Sequence, residues 1–272
     1  SAVACRRIRR SERSVSDAVT PPGPLRRFLE GDLWHSFSHT PTAIVAASIA
    51  LACIVVAAFT NMLAPHHPFD LATLELADSR LPPAWLPEGR STYLLGTDDQ
   101  GRDILSALMY GSRISLLVGL ASVVLSTIFG VTLGLLSGYL GGKTDAVIMR
   151  ICDVMLSFPA ILLALLIDGV GRALFPQAHD ALAYAVLIVA ISAAGWVPYA
   201  RAVRGGAMVE RQKEYVQAAR VIGVSPLRIM RRHVLPNVLG PVMVLATLQL
   251  ATAILIEATL SFLGVGVPPT SP

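Results

Sequence analysis

Few stretches of this 272-residue sequence carry side chains whose types and spacing could do chemistry. Gly141-Gly142-Lys143-Thr144 follows the end of the phosphate-cradling pattern G-x-x-x-x-G-K-[ST], in which backbone N–H groups and a lysine hold the phosphates. That pattern needs glycine at position 137, where Ser137 stands, and a long apolar stretch precedes it instead of a short strand. A tight turn carrying one positive charge is expected there. His66 and His67 are adjacent, with no carboxylate at metal-ligand spacing, so exposed loop histidines are expected rather than a metal site. Neither H-E-x-x-H nor an apolar stretch with G-x-S-x-G occurs, which argues against an intramembrane hydrolase. Three charges sit in or beside apolar stretches. Arg150 and Asp153, three apart, share a helix face, where an interfacial ion pair is the default, although charges at that depth also line pathways. Glu257 either faces a path or snorkels outward. The chain is thus expected to hold no catalytic group, metal or cofactor of its own.

The elements that would position these groups are long and apolar. Hydrophobic residues make up 54% of the chain and charged ones 15%, with mean hydropathy +0.62; an ordinary soluble domain carries about 25% charged residues. A helix crosses the hydrocarbon with roughly 20 apolar residues. Residues 43–63, 114–140, 181–200 and 234–256 meet this with no Asp, Glu, Lys or Arg, and 146–167 is apolar beyond Arg150 and Asp153. Five spans are the minimum.

The net charge of +4 is distributed by segment. Seven arginines precede residue 42 and eight Lys/Arg lie between Arg201 and Arg232, whereas residues 65–112 hold three arginines against seven acids. Five spans put the two basic segments on one side, and positive loops stay cytoplasmic. The expected topology has a cytoplasmic tail at 1–41, a membrane domain at 42–272, an external segment at 65–112 and a cytoplasmic loop at 201–236. No aromatic residues interleave with the arginines, so nucleic acid is not expected. No cysteine falls in the external segment, so no disulfide framework is implied. The first span has a basic flank but no clear small-x-small cleavage site, and reads as a retained anchor.

Within this frame, Pro21, Pro22 and Pro24 mark a flexible tail, turning amphipathic over 25–37 as a surface-lying helix would. Asp103 is placed to cap a short helix closed by Gly111. Ser122, Ser126, Gly130, Gly134 and Gly138, four apart, put small residues on one face for close helix packing. The chain lacks an initiator Met and stops at Pro-Pro-Thr-Ser-Pro, which reads as part of a longer product.

The most informative stretch is 210–237, E-R-Q-K-E-Y-V-Q-A-A-R-V-I-G-V-S-P-L-R-I-M-R-R-H-V-L-P-N. Glu214 to Ile222 predicts a helix with Tyr215, Ala218, Ala219 and Ile222 on one face. Gly223 ends it in the left-handed conformation. Ser225 then caps a second helix with Pro226 at its first position. That helix runs to Leu235, and Pro236 marks the turn into the membrane. A helix-turn-helix between two spans suits docking to a soluble partner; the plainer reading is a basic loop near anionic lipid.

The pattern A-A-x3-G followed by L-P, at Ala218, Ala219, Gly223, Leu235 and Pro236, resembles the EAA loop of ATP-binding-cassette importer permeases. Gln217 stands where the name-giving Glu would be, and His233 where Ile is usual. H-V-L-P-N at 233–237, L-G-T-D-D-Q-G-R-D-I-L-S-A-L-M-Y-G-S-R-I-S-L at 95–116 and S-F-L-G-V-G-V-P-P at 261–269 are similar to the dipeptide and oligopeptide branch. The resemblance covers about residues 30 to 272.

It implies an all-α polytopic helix bundle in the bacterial inner membrane, N-terminus cytoplasmic, with a sixth span beyond the five visible. It also implies a non-catalytic subunit forming half of a di-/oligopeptide pathway. The expected partners are a homologous second permease, two ATPase subunits that hold ATP and Mg, an external solute-binding protein and membrane lipid. The ATPase-coupling loop would comprise Glu214, Tyr215, Gln217, Ala218, Ala219, Arg220, Gly223, Ser225, His233, Leu235, Pro236 and Asn237, with Arg150, Asp153 and Glu257 as pathway candidates. Permeases of the same branch for nickel, glutathione or another small solute are the nearest alternative. A secondary transporter would show internal repeats and intramembrane charges, and no repeat is found.

Overall fold

The computed structural model describes residues 37–69, 76–174 and 179–265. Most of the expected tail, including the amphipathic stretch, and most of the Pro-Pro motif therefore lie outside the described residues. Among the described residues, helices dominate and the one β feature is an isolated bridge between Thr97 and Asp103. The chain divides into two units, residues 1–55 and 56–272.

The first unit holds most of α1, Pro41–Ala58, an 18-residue helix with no charged residue. Its starting proline sits where the missing N–H costs nothing.

The second unit carries α2 (Thr60–Leu63), α3 (Ile104–Leu140), α4 (Gly142–Ser157), α5 (Ala160–Leu174), α6 (His179–Glu210), α7 (Glu214–Val221), α8 (Pro226–Ile229) and α9 (Leu235–Phe262). A π-helical turn, Met230–Val234, joins α8 to α9. Among the described residues four helices are long and apolar enough to cross a membrane: Pro41–Ala58, Ile104–Leu140, Leu182–Glu210 and Pro226–Phe262. The fifth apolar block, 146–167, is not one straight helix. It is broken at Phe158–Pro159, and α4 and α5 meet at 94°. Phe158 is extended (φ −98°, ψ 133°), the conformation a following proline imposes.

Helix α3 fixes the frame. Asp103 caps it, its carboxylate accepting from the N–H of Leu105 at 3.3 Å and of Ser106 at 3.2 Å. The short helix expected to close at Gly111 is instead the first part of a 37-residue helix. A glycine inside a helix costs about 1 kcal/mol relative to alanine, and burial of Tyr110 and Val118 around it outweighs that.

The small-residue stripe on α3 packs on α6 at one fixed offset. Ser122 Oγ donates to Ile188 O at 3.4 Å and Ser126 Oγ to Ser192 O at 3.2 Å. A Cβ added at Gly130, Gly134 or Gly138 would lie 2.5, 2.6 or 2.6 Å from the carbonyl oxygens of Trp196, Ala200 and Arg204. Each contact pairs residue i with i+66, so α3 and α6 run in the same direction. The connection between them must therefore return the chain along their whole length, and α4 with α5 supplies that return. Helix α9 runs the opposite way on α3, with Ile254 and Leu250 over Gly119 and Glu257 against Ser115.

Candidate functional site

The α3–α4 turn contains the glycine-lysine motif. Gly141 and Gly142 have φ +70° and +56°, conformations that disfavour side chains, and they turn the chain from one helix into the next. The expected tight turn is what forms.

Beside this turn, α7 and α8 fold onto the ends of α3 and α6. The face of α7 that is buried is Val216 and Ala219, in one cluster with Tyr139 and Leu135 of α3, Val203 and Ala207 of α6, and Ile229, Met230 and Val234. Of the four residues expected to share a face, Ala219 is buried, whereas Tyr215, Ala218 and Ile222 are exposed. The reason is Val216, whose spacing of three from Ala219 makes a narrower stripe that α3 and α6 can cover. Three apolar side chains are left in the open, Val221 at 87%, Ile222 at 77% and Leu227 at 70% exposure.

Gly223 has φ +82°, as expected from its place after α7. Its N–H donates to Arg220 O and the Val224 N–H to Ala219 O, both at 3.0 Å, which is the paired closure of a Schellman motif. Ser225 occupies the cap position of α8 with Pro226 at its start, but its hydroxyl makes no capping bond; the break is set by backbone shape. Nor does Pro236 turn the chain. The helix continues through it because the preceding turn widens, with the Leu235 N–H reaching Met230 O five residues back. A proline cannot bond its i−4 carbonyl and clashes with it, and the wider π turn sits at the carbonyl concerned, that of Arg232.

Polar contacts tie the loop down. Tyr215 Oη donates to Glu210 Oε1 at 2.6 Å and accepts from Asn237 Nδ2 at 3.0 Å, and Asn237 Nδ2 also donates to His233 O at 2.7 Å. Donation to the Glu210 carboxylate, with some burial, pushes the Tyr215 phenol above the ordinary tyrosine range. The Tyr215 and His233 rings lie 6.1 Å apart. Gln217 Nε2 donates to Arg211 O at 3.3 Å, so the residue at the name-giving position holds its own loop. Arg220 Nε donates to Tyr139 Oη at 3.2 Å. Arg211 Nη1 donates to the carbonyls of Gly138 and Tyr139, capping the end of α3. Glu214 is exposed in the first turn of α7, where an acid suits the helix dipole. Leu235 is half-buried and Pro236 exposed. Glu210, Arg211, Val216 and Tyr139 were missed from sequence; the signal for Val216 was its i+3 partner Ala219.

The pathway candidates are not brought together. Asp153 accepts from Arg201 Nη2 at 2.7 Å, and no described ion pair joins it to Arg150. Both residues are exposed on α4. Glu257 is 5% exposed and turned into the α3–α9 contact, accepting from Ser115 Oγ at 2.6 Å and Ser261 Oγ at 2.9 Å. Near the same end, buried Asp168, one residue beyond the fifth apolar block, accepts from exposed Arg172 Nε at 2.7 Å.

The L-G-T-D-D-Q-G-R-D stretch is a folded turn. Gly96 and Gly101 take positive φ. Burial opposes ionisation of Asp98, but the N–H groups of Arg102 and Gln100 and the Arg102 guanidinium at 2.7 Å outweigh it and hold the carboxyl below its usual range. His66 is not a free loop histidine: its Nδ1 lies 3.4 Å from Asp103 Oδ2 and its backbone N–H donates to Ser106 Oγ at 3.1 Å. Among the described residues no three His, Cys, Asp or Glu side chains cluster as a metal would require.

Residues 130–272, which contain α6, the whole α7–α9 arrangement and the end of α3, match the family described as binding-protein-dependent transport system inner membrane component. The chain belongs to this family. It is 40% identical over 253 residues to the di/tripeptide transport system permease protein DppC of Pseudomonas aeruginosa (strain UCBPP-PA14), covering 92% of this chain and 77% of that one. It is 41% identical over 263 residues to the dipeptide transport system permease protein DppC of Escherichia coli (strain K12), covering 96% and 82%. With the oligopeptide transport system permease protein OppC of Bacillus subtilis (strain 168) it shares 35% over 233 residues, covering 85% and 70%. As a member of this permease family the chain is a multi-pass inner-membrane component of a transport system, and its fold is the helix bundle expected.

Proposed function

We propose that this permease forms half of the translocation pathway of an ATP-driven importer of di- and oligopeptides, and that α7 is its contact with a cytoplasmic ATPase. The observation that carries the coupling role is the outward apolar pair Val221 and Ile222 at the end of α7, on a loop otherwise pinned at both ends. Burying each such side chain is worth roughly 1.5–3 kcal/mol, and a polar loop with no partner would not keep both of them in water. The peptide cargo is supported by relatives of 35–41% identity that carry dipeptide, di/tripeptide and oligopeptide names.

The importer has a second, homologous permease, two ATPase subunits that hold ATP and Mg, and an external solute-binding protein. The N-terminal tail, residues 1–41, and the 201–236 loop lie in the cytoplasm; residues 65–112 lie outside. Closure of the ATPases on ATP draws the two coupling loops together. Glu214, Tyr215, Gln217, Ala218, Ala219, Arg220, Gly223, Ser225, His233, Leu235, Pro236 and Asn237 shape the loop, some by contact and some by holding it. Arg220 on Tyr139 and Arg211 on the α3 carbonyls pass its displacement to the spans. Arg150 and Asp153 are the charges open to the path, whereas Glu257 fastens α9 to α3.

Co-purification of the complex tests the contact. Val221→Asp with Ile222→Asp should leave the permease in the membrane at normal abundance and release the ATPase subunits. Retention of both ATPase subunits at the wild-type ratio would refute it.

A further inference from the structure

A second feature of the α8 region is not used by the coupling contact. Ile229, Met230 and Val234 are buried in the core cluster, which turns the intervening positions outward. Arg228, Arg231 and Arg232, spaced three and four apart, line a groove of about 520 Å³ together with Ser225 and Leu227. All three arginines are exposed, and none takes part in an ion pair described in the structure. From residue 213 to 237 the chain has one acid, Glu214, so no local carboxylate balances them. Arg220, the other arginine of that stretch, is engaged with Tyr139.

We propose that this groove holds the phosphate headgroup of an anionic phospholipid. The charge sets the sign of the ligand, since three guanidinium groups on one face suit a phosphate. The apolar partner points to lipid: Leu227, in the same groove, is 70% exposed and would remain wet beside a soluble anion. Position points the same way. Arg232 precedes Val234 by two residues and Arg228 by six, about 3 and 9 Å along a helix axis. The same continuous helix, Pro226–Phe262, then exposes Leu239, Met243, Val244 and Leu248. The arginines therefore sit at headgroup depth at the start of an apolar helix, the arrangement by which basic pockets beside membrane helices take acidic lipids. An acidic face of a partner protein is the competing occupant, and it would leave the continuity with the apolar helix without a use.

The test uses the complete complex in nanodiscs of phosphatidylcholine containing a photoactivatable phosphatidylglycerol, without ATP. Label should attach to the peptide carrying residues 225–232 and fall about fivefold for each of Arg228→Gln, Arg231→Gln and Arg232→Gln. The corresponding Lys variants should retain it. Inorganic phosphate should not compete, because the free anion lacks the acyl chains that Leu227 and α9 meet. Labelling that is unchanged in the triple Gln variant overturns the proposal, as does full competition by phosphate. Loss of the ATPase subunits from the triple variant with labelling intact would assign the arginines to a protein contact and also overturn it. Because labelling is read without nucleotide, it can succeed or fail separately from the coupling role of α7.

Discussion

Substitution at Gly223 isolates backbone shape from packing. The residue sits at φ +82°, and a Cβ built there would meet nothing within 4 Å. Its substitution therefore carries no steric collision, only the cost of holding an L-residue in the left-handed region. That cost is about 1–2 kcal/mol for alanine, less for asparagine, which visits this region readily, and about 2–3 kcal/mol for a β-branched valine. The alternative backbone would break the Gly223 N–H to Arg220 O and Val224 N–H to Ala219 O bonds and swing α8 relative to α7. A valine thus shifts the ratio of native to displaced loop by roughly 30- to 150-fold. The buried cluster of Val216, Ala219, Ile229 and Val234 is not touched directly, so membrane insertion should persist. Peptide uptake at equal membrane abundance should fall in the order Gly, Asn, Ala, Val. Solute capture by the binding protein should stay intact, and ATP hydrolysis should no longer respond to solute. Uptake in Gly223→Val near wild type, or alanine outperforming asparagine, would refute the reasoning.

The helix contact is tested by Gly134→Leu. Its Cβ lies 2.6 Å from Ala200 O, about 0.8 Å inside ordinary contact, so α3 and α6 must part; overpacking of this kind costs about 1–3 kcal/mol. A lowered melting temperature in detergent is expected, while Gly111→Ala, with open space around it and the helix cost of glycine removed, should melt slightly above wild type. Topology is tested by single cysteines: one at exposed Ser91 should react with an impermeant thiol reagent in intact cells, and one at exposed Gln212 only after permeabilisation. For pH, the Tyr215 phenol is raised in the folded loop, so the stability it adds is complete below the ordinary tyrosine pKa and is lost as pH rises through the raised value. Phenolate absorbance, compared with Tyr215→Phe and with Glu210→Gln, should show a titration moved upward that Glu210→Gln returns toward the ordinary range.

Much of the bundle was legible because long uncharged runs and a four-residue small-residue spacing have few other uses. Gly130, Gly134 and Gly138 announced a close helix contact, though nothing local named α6 as the partner. The loop was read from Gly223 and Pro226, whose backbone preferences act alone. Misreadings arose where tertiary packing overruled local signals. Gly111 and Pro236 look like breaks, yet buried neighbours at Tyr110 and Val234 carry the helix through both. Phe158–Pro159 was hidden inside an apolar run whose composition says nothing of direction. Asp153 chose Arg201, forty-eight residues away, over Arg150 on its own helix, a pairing that requires the α4–α6 approach to be known. The buried face of α7 depended on what α3 and α6 could cover, which is a property of the assembled bundle.

The central claim is tested most directly by uptake of a labelled dipeptide into proteoliposomes holding the complete complex. Accumulation against a gradient should require both the binding protein on one side and ATP on the side of α7. It should be abolished by Val221→Asp with Ile222→Asp in the same preparation. Dipeptide accumulation driven by a proton gradient without ATP, undiminished in that double variant, would contradict the account.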